Sequence, residues 1–107
     1  MQAGPYNALK GALLQYSGAL AQDVAGKGVR VNAVSPGPIF IEGGAWDNIK
    51  QNMAPLYDAT LAEIPCGRMG SAEEVAAQVV FLASPRAAFT TATNIVIDGG
   101  LTKRIQY

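Results

Sequence analysis

Pro5-Tyr6-Asn7-Ala8-Leu9-Lys10-Gly11-Ala12-Leu13-Leu14 opens the first helical stretch and carries the most informative pair of side chains in the sequence. Positions i and i+4 of an α-helix lie one above the other, with Cβ atoms about 5–6 Å apart. Tyr6 and Lys10 therefore share a face. A free phenol titrates at about pH 10, and a cation held beside one favours its phenolate. The spacing marks Tyr6 as a candidate acid/base for moving a proton on or off a substrate oxygen, with Lys10 as its helper. Taken alone, the pair is better read as an interfacial tyrosine beside a solvated lysine, so the flanking sequence has to decide.

Working outward, Pro5 suits the first helical position. Leu9, Leu13, Tyr16, Leu20 and Val24 recur at three- and four-residue spacing and predict a buried stripe. Ala8, Ala12, Ala19, Gly11 and Gly18 keep another flank small. Gly26-Lys27-Gly28 supplies the cation and glycine expected at a helix C-terminus. Val29-Arg30-Val31-Asn32-Ala33-Val34 then reads as a buried strand, halted by Ser35-Pro36-Gly37-Pro38. Helix, tight turn and strand in that order predict a parallel α/β layer.

From Ile39 to Pro65 the pattern changes. Glu42-Gly43-Gly44 reads as a joint, Trp46 to Met53 as a short helix, and Pro55 to Ile64 as a second one. A helical insertion after the carboxyl end of a strand is where open α/β sheets place their ligand sites, so this stretch is read as a substrate lid. Pro65 to Gly70 is a loop. Ser71-Ala72-Glu73-Glu74 is a capping box that starts a helix with Val75, Val79 and Leu82 on its core stripe, and Ser84-Pro85 stops it. Asn94 to Asp98 is a second buried strand, ended by Gly99-Gly100, and the tail Leu101 to Tyr107 either docks or frays.

At 107 residues there is room for one domain at most. Eight basic and eight acidic residues balance to zero with no run of either sign, which gives no support to nucleic-acid or membrane-surface binding. With one cysteine and no histidine, neither an internal disulfide nor a metal cluster is expected. No stretch reaches the length of a membrane span or has the layout of a signal peptide, so the expectation is a cytoplasmic protein.

Five motifs now stand in register. They are Tyr6-x-x-x-Lys10, Asn32-Ala33-Val34-Ser35-Pro36-Gly37, Gly67-Arg68-Met69-Gly70 with Glu73-Glu74-Val75-Ala76, Phe81-Leu82-Ala83-Ser84, and Val96-Ile97-Asp98-Gly99-Gly100. Their order and spacing resemble the classical short-chain dehydrogenase/reductase family over essentially the whole chain. Glu42-Gly43-Gly44-Ala45-Trp46 also looks like the lid element of one subgroup.

The resemblance implies an α/β fold: the C-terminal part of a doubly wound, Rossmann-like parallel sheet, with its last two strands, catalytic helix and helical lid. It divides the chain into residues 1–38 (catalytic helix, strand and Pro-Gly turn), 39–65 (lid) and 66–107 (last helix, last strand and tail). It implies an NAD(P)-dependent oxidoreductase that interconverts a small-molecule alcohol and a carbonyl. Tyr6 would be the catalytic acid/base. Lys10 would favour its phenolate and bond the nicotinamide ribose. Tyr6, Lys10, Pro36, Gly37 and the backbone of Ile39 would contact the cofactor, which is NAD or NADP.

Two positions depart from the family pattern. Ile41 stands where a threonine often contacts the cofactor, and Ala92 follows Thr91 where a glycine is usual, a change expected to cost little. The family's Gly-rich phosphate loop and catalytic serine lie before the tyrosine and have no counterpart here. The isolated chain is therefore expected to be inactive and to hold no cofactor tightly. The alternative is a non-catalytic packing module, and in either case an exposed first helix predicts a homo-oligomer.

Overall fold

In the computed structural model, residues 4–103 and 105 are described. Their order is α1 (Gly4–Val24), a 3-10 turn (Ala25–Lys27), β1 (Ala33–Pro36), α2 (Ala45–Asn52), α3 (Ala54–Glu63), α4 (Ala72–Ala83), a second 3-10 turn (Pro85–Ala87) and β2 (Asn94–Ile97). The chain divides into two compact units. One takes the residues up to Val34 with Val80–Ile95, and the other takes Ser35–Val79 with the residues from Val96 onward. Arg104, Gln106 and Tyr107, in the C-terminal tail, lie outside the described residues.

In the first unit, α1 ends as its sequence predicts. Gly28 adopts a left-handed conformation (φ 78°). Its N–H donates to the Ala25 carbonyl at 3.0 Å, and the Val29 N–H donates to the Val24 carbonyl at 3.3 Å. That pair of bonds is a Schellman closure, which satisfies carbonyls the helix would otherwise leave open.

The predicted stripe of α1 is buried only in part. Leu9, Leu13 and Tyr16 are 72%, 58% and 64% exposed, while Ala21, outside the stripe, is fully buried. A Cβ added at Gly11 or Gly18 would meet nothing within 4 Å. The periodicity correctly marks an apolar face: Leu20 and Val24 are half-buried, while its N-terminal part is left uncovered among the described residues, in line with the expectation of an exposed first helix.

The first strand runs Ala33–Pro36 rather than Val29–Val34. The cause is the bonding of the earlier residues. The Arg30 guanidinium donates to the carbonyls of Leu82 (2.7 Å), Ser84 (3.2 Å) and Thr90 (3.2 Å), capping the end of α4. Asn32 donates to the Thr90 carbonyl and accepts from the Thr93 N–H and hydroxyl. The Val31 N–H donates to the Thr91 hydroxyl rather than to a main-chain carbonyl. A regular ladder starts at Ala33, whose N–H donates to the Thr93 carbonyl, and Gly37 repeats the pattern four residues on with Ile97. Both partners advance in the same direction, so the two-stranded sheet is parallel.

Ala92 carries the largest surprise of this loop. It is the one non-glycine with positive φ among the described residues, at 60°. The cost of alanine here is therefore one of backbone conformation rather than bulk, about 1–2 kcal/mol for an L-residue in the left-handed region.

In the second unit, Ile39 and Gly70 form a parallel bridge, through Phe40 N–H to the Gly70 carbonyl (2.9 Å) and Gly70 N–H to the Pro38 carbonyl (3.0 Å). α2 and α3 match the two short helices predicted, each to within one residue. Only Met53, in a non-helical conformation, separates them.

The capping box at α4 forms as expected: Glu74 N–H donates to the Ser71 hydroxyl at 3.2 Å and Ser71 N–H donates to the Glu74 carboxylate at 3.0 Å. Arg68 extends it with two bonds to that carboxylate, at 2.7 and 2.8 Å. The Arg68 bond, followed by the Ser71 N–H, holds the Glu74 carboxyl down at about 2, from an ordinary value of 4.5.

Ala92→Gly should raise stability by about 1 kcal/mol, which for a chain of this size is roughly 4–8 °C in thermal midpoint. No change or a fall would show that Ala92 is not strained.

The lowered Glu74 carboxyl means that the folded state binds its proton less readily than the unfolded chain does. Its stabilisation is complete above pH 4.5 and is lost as pH falls towards about 2. The midpoint of Glu74→Gln should therefore fall less steeply than that of the parent across that window. The effect should be modest and salt-sensitive, because both partners are well exposed.

Candidate functional site

α1 brings Tyr6 and Lys10 together as the helical spacing requires. The Lys10 ammonium lies 5.5 Å from the centroid of the Tyr6 ring, within the range at which a cation is drawn to an aromatic face. Tyr6 is 60% exposed and Lys10 is exposed too. An aromatic ring and an ammonium thus stand together on an exposed stretch of helix. They belong to the first unit.

Pro36, Gly37 and Ile39 belong to the second unit. Pro36 ends β1 and is exposed. The Gly37 N–H donates to the Ile97 carbonyl at 2.8 Å. A Cβ at Gly37 would lie 2.6 Å from the Asp98 Cβ and 2.9 Å from its Cα. The missing side chain at Gly37 is therefore already demanded by Asp98.

At Ile39 the bridge to Gly70 uses the groups of Pro38, Phe40 and Gly70. In a parallel bridge that pattern leaves the N–H and C=O of Ile39 itself directed away from Gly70. One donor and one acceptor side by side are what a carboxamide needs, so the main chain at Ile39 fits the nicotinamide group expected there. Ile41, at the position of the usual threonine, is 52% exposed and offers no hydroxyl; its carbonyl accepts from the Gly44 N–H.

The sequence reading places Asp98 at the end of a strand and in the last motif without giving it a role, yet its carboxylate organises the turn after β2. It accepts from the Gly100 N–H (2.9 Å), the Thr102 N–H (2.9 Å) and the Thr102 hydroxyl (2.7 Å). Those bonds, the Thr102 hydroxyl first, hold the Asp98 carboxyl below the usual range. The Asp-Gly-Gly-x-Thr spacing was the available signal, since aspartate commonly caps turns of its own backbone. Among the described residues no three His, Cys, Asp or Glu side chains cluster to hold a metal, and no helix is long and apolar enough to cross a membrane.

A family model described as Enoyl-(Acyl carrier protein) reductase matches residues 1–102. Isoepoxydon dehydrogenase of Aspergillus clavatus is 42% identical over 102 residues, covering 95% of this chain and 39% of that protein. Among solved structures, a putative 2-deoxy-D-gluconate 3-dehydrogenase from Agrobacterium tumefaciens with bound NADP is 33% identical. It superposes with a TM-score of 0.81 over 92% of this chain and 39% of that one. 4-Hydroxyisoleucine dehydrogenase complexed with NADH is 29% identical, with a TM-score of 0.81 over 94% of this chain and 40% of that one.

The chain thus spans about two fifths of the length of these relatives. Its α/β fold is that of the C-terminal part of their Rossmann-like sheet, with two parallel strands and the helices that accompany them. With a match running from the first residue to the 102nd, the chain belongs to the short-chain dehydrogenase/reductase family.

Proposed function

We propose that this chain supplies the catalytic helix, cofactor-facing turn and substrate lid of an NAD(P)-dependent oxidoreductase that interconverts an alcohol and a carbonyl on a small molecule. The observation that carries this reading is the Lys10 ammonium 5.5 Å from the Tyr6 ring on an exposed helix face. Tyr6 acts as the acid/base at the substrate oxygen. In the reducing direction its hydroxyl gives a proton to the developing alkoxide; in the oxidising direction its phenolate takes that proton from the alcohol. Lys10 stabilises the phenolate left behind and donates to the nicotinamide ribose.

Pro36 and Gly37 bound the pocket for the ring, and the main chain of Ile39 holds its carboxamide. A bound nicotinamide cofactor supplies or accepts the hydride. The relatives include proteins solved with NADP and with NADH, and both cofactors stay within the proposal. α2 and α3, with the joint at Glu42-Gly43-Gly44, form the lid over the substrate, and residues 39–65 are its span. By the same reading the isolated chain is inactive and binds cofactor weakly, since it brings no Gly-rich phosphate loop.

A second reading has its own observation. The exposed Leu9, Leu13 and Tyr16 side chains of α1 form an apolar face, and burying one leucine is worth about 1.5–3 kcal/mol. Such a face favours association, so the chain alone is proposed to be a homo-oligomer, a two-fold dimer through α1, the open edge of β1, or both.

The catalytic reading is tested in an active oxidoreductase that carries this segment, by following nicotinamide absorbance. Tyr6→Phe should cut turnover by about 10²–10⁴-fold with cofactor affinity nearly unchanged, and Lys10→Ala should weaken both. If Tyr6→Phe retained more than about a tenth of the activity, the acid/base role would be wrong. The packing reading is tested by sedimentation of the 107-residue chain. The expected result is a dimer or larger species with no folded monomer, and a monodisperse, cooperatively unfolding monomer would overturn it.

A further inference from the structure

The Lys50 ammonium, in the last turns of α2, lies 5.5 Å from the centroid of the Phe40 ring and 5.4 Å from that of Tyr57. Phe40 precedes α2 on the segment bonded to Gly70, and Tyr57 belongs to α3. One cation therefore meets two aromatic rings on two different pieces of chain, each within the distance of about 6 Å at which ring and cation attract.

Lys50 makes no direct ion pair among the described residues, and its charge is the last of the influences that lower the Asp47 carboxyl. Asp47, one turn earlier, is committed to the Gly43 N–H at 2.8 Å and to the Gln51 amide at 2.9 Å. Neither α2 nor α3 has a buried residue, and only Met53 stands between them. Trp46, Ile49, Tyr57 and Leu61 are half-buried, and a helix pair with no fully buried side chain takes part of its geometry from the directional contacts it makes.

We propose that Lys50 is the clasp of the α2–α3 hairpin, a positioning residue whose charge holds the Phe40 segment, α2 and α3 together as one piece. If α2 and α3 form the substrate lid, a consequence that rests on the proposed function, the clasp sets the shape of the surface the lid turns to the substrate. The clasp itself does not require that reading.

Hydrogen exchange on the 107-residue chain and variants, read by mass spectrometry, tests it without any activity assay. Lys50→Met keeps a linear apolar stem and removes the charge. It should speed amide exchange across residues 45–63 by about five- to thirtyfold and leave α1 unchanged. Lys50→Arg keeps a cation that stacks on rings and should restore the parent rates. In the parent, the Lys50 ε-methylene protons should resonate upfield of those of the other lysines, and Phe40→Leu or Tyr57→Leu should each remove part of that shift.

Parent-like exchange in Lys50→Met would overturn the clasp. So would exchange in Lys50→Arg as fast as in Lys50→Met, or a loss of protection spread equally into α1. An inactive chain changes none of these rates, so failure of the lid reading and failure of the clasp are told apart.

Discussion

Backbone crossing backbone at Gly37 and Asp98 is the contact on which the second unit depends. A Cβ at Gly37 would fall 2.6 Å from the Asp98 Cβ and 2.9 Å from its Cα, and atoms on or next to the main chain cannot swing aside as a side-chain tip can. The crossing fixes the carboxyl ends of β1 and β2 against each other. From the same point, the Gly99 carbonyl accepts from the Cys66 N–H at 3.1 Å, which ties in the segment just after α3. The Asp98 carboxylate gathers Gly100 and Thr102. Gly37 thus answers two demands, the crossing and the proposed cofactor pocket. Substituting it cannot separate them, whereas changes at Tyr6 act on a side chain with no such structural duty.

The parts of the fold that could be read from the sequence are those governed by neighbours in the chain. The capping box of Ser71 and Glu74, the closure at Gly28 and the two short helices all depend on residues within a turn or so of each other. The first strand could not be placed in the same way. Its start is decided by Arg30 and Asn32, whose partners lie more than fifty residues away. Ala92 shows a second limit. Composition suggested a small change of volume, but what matters there is the sign of φ, which depends on how the loop is held by Val31 and Asn32.

The candidate site divides along the same line. Tyr6 and Lys10 were legible because helical periodicity alone makes them neighbours. The predicted stripe of α1 was legible as an apolar face, but not how far along it cover extends, since periodicity says which side is apolar and not what lies against it. The Asp98 turn and the Lys50 rings escape a sequence reading for different reasons. The first needs attention to a local spacing that is present, whereas the second joins residues across the loop before α2 and across the break at Met53, where no single helix sets their positions.

The Arg30 fork has a consequence for the order of events in folding. Its three carbonyl partners, at Leu82, Ser84 and Thr90, are 52 to 60 residues away along the chain. Bringing such distant segments together spends loop-closure entropy before any bond repays it. α1, the α2–α3 hairpin and the capped start of α4 need only nearby contacts and are free to form early. The fork and the β1–β2 ladder must wait for the ends of the loop to meet. Until then the carbonyls that Arg30 caps and the edges of both strands stand open together, and that interval is when a chain of this kind is most exposed to pairing with the wrong partner.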